Sequence, residues 1–560
     1  MTNKFMIKLL SVILLVAMLA GSLFACFDNP VIDGTGSSSS TTIGGLETTT
    51  RPTTSTSTTT TRPTTSTSTT TTTTTRPSGA TSSSNGGGGN TPADDHWDVD
   101  NNGWCDDCGI DVVETVDFYN FNDLHGKFEN TDDNTGVDEL TTYLENRREI
   151  DEHTVFLSTG DMWQGGSASN GTHGRIITDW MNYLGFEAMA LGNHEFDWGT
   201  DAIRTNVAMA EFSILAINVY DNATGKRADF CEPSVMIERG GAQIGIIGAI
   251  GDCYSSISGE MVKDVHFKTG TALTNLVKAE SDRLREEGAD VIIYLIHDGT
   301  EWDSINVTNY YDLSLSSGGY VDVVFGGHTH SYYITEDAYG VPHLQGGGDN
   351  SKGMTHVELD VNFANGDVKI NATDYVQHSQ CSNLPDSPIV QELLNKYWSE
   401  IGWMYDNLGY NARYRDSDEI ADLVAKLYYQ AGKEKWGNDY DIVLGGGFLQ
   451  LRSPYEVNVG NVVYGDLQMI LPFDNQIVLC KVKGSDLLNK FYNSTNSSYH
   501  IYYENVTAAK INRNSYYYII VDSYTSQYAP NNLTEVARLD STTFARDLLA
   551  DYIMAGNWDQ

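Results

Sequence analysis

Apolar runs alternate with amphipathic segments along the chain from residue 112 onward. Runs rich in Val, Ile, Leu and aromatic residues predict buried strands at 112–121, 155–159, 188–191, 243–250, 291–296 and 321–325. Apolar positions at helical spacing predict helices at 137–150, 175–184, 272–287 and 389–401. Because strands and helices alternate, the pattern predicts a layered α/β fold.

The N-terminus has the pattern of an export signal. Lys4 and Lys8 precede an apolar run at 9–24 that ends in Leu-Phe-Ala-Cys. This predicts a signal peptide over 1–26 and resembles the lipobox of bacterial lipoproteins, whose cysteine, here Cys26, is acylated. Phe24 is not the small residue usual there, so cleavage without lipidation and a retained spanning helix are the alternatives. We expect an exported protein, secreted or held at the cell surface by a lipid anchor rather than a spanning helix.

Composition divides the rest of the chain. Residues 27–94 consist largely of Thr, Ser, Gly and Pro, and a Thr-Arg-Pro-Thr-Thr-Ser unit begins at Thr50 and again at Thr61. Such a segment buries too little apolar surface to fold, so we expect a disordered stalk.

The chain of 560 residues leaves room for two or three domains. Its formal net charge of -41 argues against a nucleic-acid polymer as partner.

A small Asp- and Cys-rich knob is predicted at 95–112. Its Asp98-Val99-Asp100-Asn101-Asn102-Gly103 stretch resembles the start of a calcium loop. The twelfth position of that loop is Gly109 rather than the usual bidentate Glu. Cys105 and Cys108 form a Cys-x-x-Cys pair within it. We expect either a calcium site over 98–108 or a disulfide-pinned knob, and an acidic surface loop is the alternative.

Chemically active side chains follow five of the predicted strands. They are Asp123, His125, Asp161, Asn193, His194, His297, His328 and His330. In layered α/β folds, ligands bind beyond the carboxyl ends of strands, so we expect these side chains to converge. Carboxylate, imidazole and amide groups are ligands for borderline divalent metals.

Ligand counting points to two metal ions. Seven of these residues are potential ligands if His194 is set aside, which is too many for one ion. If Asp161 bridges, each of two metals receives four protein ligands. Two metals about 3.5–4 Å apart can activate water and stabilise both oxygens of an in-line displacement. His194 then remains available as a proton donor, and Asp197 can orient it and stabilise its charged form.

The motifs carry a family resemblance. Asn-Asp-Leu-His-Gly at 122–126, Gly-Asp at 160–161, Gly-Asn-His-Glu-Phe-Asp-Trp-Gly at 192–199 and Gly-His-Thr-His at 327–330 resemble the exported 5'-nucleotidase family of calcineurin-like metallophosphoesterases. The resemblance extends from about residue 116 to the C-terminus. It implies a four-layer metallophosphoesterase domain, two sheets flanked by helices, over 113–378. A linker helix at 379–408 and a smaller α/β substrate-specificity domain at 409–560 would follow.

The resemblance also implies residue roles. One ion would be held by Asp123, His125, Asp161 and His330, and the other by Asp161, Asn193, His297 and His328. His194 and Asp197 would form the catalytic dyad. Zn, Mn, Fe and Co all suit these ligands, so the identity of the metal stays open.

The C-terminal half matches the family less completely. Phe473 falls where the family has one aromatic wall of a nucleobase slot, Tyr524 is expected to supply the other, and Asn475 lies beside Phe473. The family pattern expects Asn and Arg around its glycines, where this chain has Leu444 and Phe448-Leu449. We expect Arg452 to replace the missing arginine.

These features together predict an extracellular, monomeric, two-metal phosphoesterase that hydrolyses nucleotides to nucleoside and phosphate. The same core acting on cyclic nucleotides, nucleotide-sugar pyrophosphates or another ester is the enzymatic alternative. A non-catalytic surface binding module is the alternative of a different class.

Overall fold

The computed structural model describes residues 96–127, 137–299, 313–347, 354–381, 383–449, 451–452, 455–540 and 543–558. The predicted signal peptide, the anchor at Cys26 and the stalk over 27–94 lie outside the described residues. Within these ranges, no helix has the length and apolar character needed to span a bilayer.

The first part of the described chain alternates strands and helices, and the second part also contains both. The first strands are β1 (Val113–Phe121), β2 (Val155–Ser158), β3 (Ala188–Ala190), β4 (Ser213–Leu215), β5 (Val219–Asp221), β6 (Ser234–Arg239), β7 (Ala242–Ile250), β8 (Val265–Phe267), β9 (Val291–His297), β10 (Val323–Phe325), β11 (Tyr333–Glu336), β12 (Pro342–Gln345), β13 (Met354–Asn362) and β14 (Asp367–Val376). The later strands are β15 (Asn407–Asn411), β16 (Ile442–Phe448), β17 (Gly460–Val463), β18 (Ile477–Lys483), β19 (Tyr499–Tyr502), β20 (Tyr516–Asp522) and β21 (Thr534–Arg538). The α-helices of seven or more residues are Val137–Ile150, Arg175–Leu184, Gly199–Met209, Thr271–Glu286, Pro388–Ile401, Ser417–Trp436, Tyr464–Ile470 and Ala545–Met554.

Two six-stranded sheets form the first domain. Their strand orders are β14-β13-β1-β2-β3-β4 and β11-β12-β10-β9-β7-β6. The strands β1 to β4 are parallel, as are β7, β9, β10 and β12, so their carboxyl ends lie at common edges. Antiparallel strands occur at the margins of both sheets.

The strand β1 shows how the layers arise. Val116 and Phe118 belong to a core shared by both sheets, whereas Tyr119 and Phe121 belong to the core beneath the helices. This alternation follows the two-residue period of a strand. The second sheet is covered on its outer face by the helix Thr271–Glu286. The predicted four-layer arrangement, helix, sheet, sheet and helix, is therefore confirmed.

The second domain is built on a five-stranded mixed sheet in the order β19-β16-β20-β18-β21. The helix Ser417–Trp436 packs closely on the strand β16 of this sheet. A Cβ atom at Gly445 would lie 2.4 Å from the backbone nitrogen of Tyr429 in that helix. Glycine at this position therefore allows the close approach of helix and sheet.

A helix links the two domains and packs on the first. Pro388 occupies its first turn, where a missing N–H costs nothing. Its buried face, with Val390, Leu393, Tyr397 and Ile401, joins the helix-covered core of the first domain.

Most predicted elements are confirmed. The helices 137–150 and 175–184 have the predicted bounds, and the helices predicted at 272–287 and 389–401 each begin one residue earlier. The last predicted strand is shorter, since β10 begins at Val323. In the knob, Cys105 and Cys108 are both free thiols, so the disulfide alternative is wrong for this structure. Instead, the sulfur of Cys108 lies 3.5 Å from Nδ1 of His96.

Candidate active site

The loops after β1, β2 and β3 of the first sheet meet the ends of β9 and β10 of the second. Nε2 of His330 lies 3.2 Å from Oδ1 of Asp123. Nε2 of His297 lies 3.2 Å from Oδ2 of Asp161. Side chains from both sheets are thus brought together at the edge where the sequence placed them.

Five of the predicted ligands have an unusual backbone conformation. Their φ angles are positive: Asp123 (54°), His125 (50°), Asp161 (54°), His328 (73°) and His330 (54°). Few residues other than glycine adopt this region, and each instance costs about 1–3 kcal/mol. Such strain tends to gather at functional sites, where the surrounding structure fixes the side-chain direction.

The first donor group contains His125, His330 and Asp123. Nδ1 of His125 donates to the carbonyl of Gln164 (2.8 Å), so its Nε2 carries a lone pair. That atom lies 3.1 Å from Nε2 of His330, and two nitrogen ligands of one ion lie roughly 3 Å apart. Burial holds the pKa of His125 well below its usual value, which keeps the ring neutral. Burial would raise the pKa of Asp123, but His330 outweighs it and lowers the pKa, so the group is ionised.

The second donor group contains His297, Asn193 and Asp161. Nδ1 of His297 donates to the carbonyl of Thr159 (2.6 Å). Its Nε2 then faces two oxygen acceptors, Oδ1 of Asn193 at 3.1 Å and Oδ2 of Asp161 at 3.2 Å. Burial would lower the pKa of His297, but the charge of Asp161 outweighs it and raises the pKa to about 10. The ring thus favours positive charge between these oxygens, and a divalent cation held by His297, Asn193 and Asp161 would supply that charge in place of a proton, so the residues fit a metal ion.

His328 has the ring state of a ligand. Burial, followed by the charge of His297, lowers the pKa of His328 to about 4. The imidazole is therefore neutral at pH 7, as a metal ligand must be. Both donor groups are suited to divalent cations.

His194 stands beside these donors with its own partners. Its Nδ1 donates to Oδ2 of Asp197 (2.7 Å), and its backbone N–H donates to Oδ1 of Asp161 (2.8 Å). Nε2 accepts a hydrogen bond from the guanidinium of Arg452 in the second domain (2.5 Å). The histidine is therefore oriented by the first domain and contacted by the second.

Glu195 is a site residue that the sequence did not single out. Its buried carboxylate accepts backbone N–H groups from Asp161 (2.9 Å), Met162 (2.9 Å), Trp163 (3.3 Å) and Gly192 (2.7 Å). It thereby ties the Asp161 loop to the turn that carries Asn193 and His194. Burial and the neighbouring Asp161 raise the pKa of Glu195 to about 7, while the N–H donors act in the opposite direction.

Gly192 is required at the same junction. A Cβ atom there would lie 2.3 Å from Oδ1 of Asp161. The turn and the carboxylate can approach each other only because residue 192 has no side chain.

Cys253 is a second neighbour that the sequence did not indicate. Its sulfur lies within 4.8 Å of ligand atoms of His297 and His328. Burial, followed by the charge of Asp298, raises the pKa of this thiol, so it stays protonated. The S–H group of Cys253 donates to the backbone carbonyl of His297 (3.4 Å), so this thiol borders the second donor group.

One cavity of about 740 Å³ spans the metal-ligand cluster and the second domain. The four residues predicted to bind substrate, Phe473, Asn475, Tyr524 and Arg452, all line it. Phe473 lies 5.8 Å from the ring of His194 and 5.5 Å from the guanidinium of Arg452. The ring of Tyr524 lies 5.9 Å from that of Phe448.

The two departures from the family pattern have different structural settings. Leu444 is fully buried in the core of the second domain. Phe448, in contrast, lines the cavity and is packed between Tyr499 and Tyr524. An aromatic ring therefore stands where a polar substrate contact was expected.

Comparisons with known proteins agree with this geometry. Residues 117–332 match the calcineurin-like phosphoesterase family, and residues 405–510 match the 5'-nucleotidase C-terminal domain. An apyrase of Tabanus yao is 32% identical over 232 residues, 39% of each chain. The 5'-nucleotidase of Mus musculus is 27% identical over 434 residues, 67% of this chain and 70% of its own. The crystal structure of a 5'-nucleotidase precursor from Thermus thermophilus superposes with a TM-score of 0.58 at 17% identity, over 79% of this chain and 96% of the other.

The two-domain fold and the cluster of histidine and aspartate donors define a metallophosphoesterase. Residues 117–332 belong to the calcineurin-like phosphoesterase family and residues 405–510 form a 5'-nucleotidase C-terminal domain, and the protein is a metal-dependent phosphoester hydrolase. Family membership favours the enzyme over the non-catalytic binding module.

Proposed function

We propose that this protein hydrolyses nucleoside 5'-phosphates to nucleoside and phosphate. The observation that supports this most directly is the shared cavity, which has donor groups for metals at one end and aromatic residues of the second domain at the other. A phosphate is suited to the first end and a flat base to the second.

At the phosphate end, seven residues would hold two divalent ions. Asp123, His125, Asp161 and His330 would hold one, and Asp161, Asn193, His297 and His328 the other. Bound ions would supply positive charge for the phosphate oxygens and lower the pKa of water. This charge is needed because the chain is strongly acidic and would otherwise repel an anionic substrate.

His194 is the proposed proton donor to the leaving 5'-oxygen. Asp197 accepts its Nδ1–H at 2.7 Å, which directs Nε2 towards the cavity and stabilises the protonated ring. In the structure, Arg452 donates to that same Nε2. A proton on Nε2 and the guanidinium cannot both occupy this position.

We therefore propose that the substrate phosphate draws Arg452 away from His194. A guanidinium forms stronger, charge-assisted hydrogen bonds with phosphate than with neutral imidazole. Nε2 of His194 then becomes available to carry a proton to the leaving oxygen. Arg452 would in this way couple substrate binding in the second domain to protonation of the catalytic residue in the first.

At the base end, we propose that Phe473 and Tyr524 stack on the nucleobase, with Asn475 beside them. Each ring lines the cavity and is supported by a neighbour: Phe473 by His194 and Tyr524 by Phe448. Since Leu444 is buried and Phe448 is apolar, base recognition would rest more on stacking than on polar contacts.

Phe473→Ala tests this proposal. Base–aromatic stacking is typically worth about 1–3 kcal/mol, which corresponds to roughly 5- to 150-fold. We expect that loss in kcat/KM for a nucleoside monophosphate and a much smaller loss for an aryl phosphate without a base, measured by phosphate release. Tyr516→Ala is the matched control, because Tyr516 is 61% exposed on the second domain and does not line the cavity.

Equal losses on both substrates, at full metal content and unchanged thermal stability, would contradict the nucleotide assignment. The phosphoesterase centre would stand, and cyclic nucleotides, nucleotide-sugar pyrophosphates and other esters would be tested next on the same variant pair. Export is the setting that we propose for this reaction, on the basis of the signal-like segment at 1–26.

A further inference from the structure

The small knob at residues 96–112 contains a second group of metal-binding side chains, which belongs to none of the phosphoesterase motifs. A tight turn holds its Cys-x-x-Cys-Gly segment. The backbone N–H of Cys105 donates to Ile110 (2.8 Å), and that of Gly109 donates back to Cys105 (2.8 Å). Gly109 has a φ of 71°, which lets the chain reverse directly after Cys108.

Three side chains converge at this turn. One ligand atom each from His96, Cys105 and Cys108 lies within 4.8 Å of the other two. The sulfur of Cys108 is 3.5 Å from Nδ1 of His96. A sulfur and a nitrogen bound to one tetrahedral zinc ion are about 3.5 Å apart, given zinc–ligand bonds of about 2.3 and 2.0 Å.

We propose that His96, Cys105 and Cys108 bind one zinc ion, with a fourth position open to water. Thiolate and imidazole are the ligands that zinc prefers in structural sites, and a Cys-x-x-Cys turn is a common way to present two of them. The ion would be additional to the metals of the phosphoesterase centre.

The charge state of the knob supports this assignment. Backbone hydrogen bonds, that of Trp97 first and that of Cys108 next, lower the pKa of Cys105 to about 6. In the same turn, the backbone of Ile110 would lower the pKa of Cys108, but Cys105 outweighs it and raises the pKa. The turn therefore favours negative charge on one of its two sulfurs, and thiolate is the form that binds zinc.

Asp98, in the acidic part of the knob, forms structural hydrogen bonds. Oδ1 of Asp98 accepts the N–H of Asn102 (2.9 Å), and Oδ2 accepts the N–H of Gly103 (2.9 Å) and the side-chain amide of Asn362 (2.7 Å). Both oxygens of the first calcium-loop position thus receive N–H donors. This arrangement docks the knob on the end of β13 and favours the cysteine cluster, rather than 98–108, as the metal site.

The zinc ion would act as a clamp. The ring of His96 packs edge-on against Phe363 at 5.9 Å, and the side chain of Asn101 donates to Asp367 (3.0 Å) on the neighbouring strand β14. By joining His96 to the Cys-x-x-Cys turn, the ion would fix this turn to the phosphoesterase domain.

Cobalt substitution of the full chain tests the proposal. A thiolate bound to Co²⁺ gives a ligand-to-metal charge-transfer band that His, Asp and Asn ligands do not give. We expect the band in the wild-type protein and its loss in Cys105→Ser and in Cys108→Ser, with phosphoester hydrolysis unchanged in both variants. Cys253→Ser is the matched control and should retain the band, because the thiol of Cys253 lies beside the catalytic cluster and outside the knob.

Two further measurements make the result decisive. Zinc should raise the resistance of the knob to proteolysis in the wild-type protein and not in Cys105→Ser. A band that persists in both knob variants, or that disappears in Cys253→Ser alone, would overturn the proposal. So would thiol titration showing that Cys105 and Cys108 of the isolated protein are joined in a disulfide, or protection of the knob by Ca²⁺ and not by Zn²⁺.

Discussion

Glu195→Gln is the most informative substitution near the metal ligands that leaves every proposed ligand in place. The two carboxylate oxygens of Glu195 accept four backbone N–H groups, and the side chain is fully buried. A glutamine has the same size but only one acceptor oxygen. Its amide nitrogen would face two N–H groups that then have no acceptor.

The loss of folding free energy follows from the number of N–H groups left without an acceptor. A buried N–H left without an acceptor costs about 1–3 kcal/mol, so two of them cost about 2–6 kcal/mol. Part of this would be relieved by movement of the Asp161 loop away from Gly192. Because Asp161 is the proposed bridging ligand, the movement should also weaken metal binding.

Thermal unfolding and metal analysis of the purified variant measure both effects. We expect a lower melting temperature for the first domain, reduced metal content and reduced turnover. Glu211→Gln is the control, since Glu211 is exposed on the same domain. If Glu195→Gln melts and binds metal like the wild-type protein, the carboxylate does not hold the two loops together, and the proposed support of the metal site is refuted.

Three further substitutions separate metal binding, proton transfer and pH dependence. Asp161→Ala should remove both metals and abolish turnover while the second domain still unfolds at its normal temperature; two retained metals with near-normal turnover would refute bridging. His194→Ala should lower turnover by roughly 10²–10⁴-fold with metal content retained, against a His266→Ala control; loss of metal would show that His194 is a ligand. Burial raises the pKa of Asp522 from 3.8 to about 6, so its stabilising contribution is complete below pH 3.8 and is lost as pH rises through 6. The free energy of unfolding should fall by up to about 3 kcal/mol over that interval in the wild-type protein but not in Asp522→Asn, measured by denaturation of the second domain; parallel pH profiles of the two proteins would contradict this.

The sequence predicted the parts of the site that depend on local chain order. Asp161 and His297 each follow a short apolar run, and the carboxyl end of a buried strand is recognisable from that run alone. Their convergence followed from the rule that such ends share an edge. The sequence could not predict how the two sheets pack against each other. That packing places His330 next to Asp123, which is 207 residues earlier in the chain.

Residues that act through tertiary contacts were harder to predict. Glu195 looks like an ordinary member of a motif until its carboxylate is seen to receive N–H groups from a loop more than 30 residues earlier. Arg452 reaches His194 across 258 residues, and its position depends on how two domains pack. In the knob, the sequence indicated both a metal loop and a cysteine pair, but His96 became part of the cluster only in the folded chain.

The two ends of the cavity differ in how much variation their chemistry allows. A metal centre requires particular donor atoms within a few tenths of an ångström, which accounts for the strained backbone at five of the proposed ligands and for the close packing of Gly192 and Glu195 around them. Stacking on a base requires only a flat apolar surface at the right distance. The cavity can therefore have buried Leu444 in place of an amide, Phe448 beside Tyr524 and Arg452 at a different position, while Phe473 still lines it with an aromatic ring. On this physical ground, departures from the family pattern are expected at the substrate end and not among the metal donors.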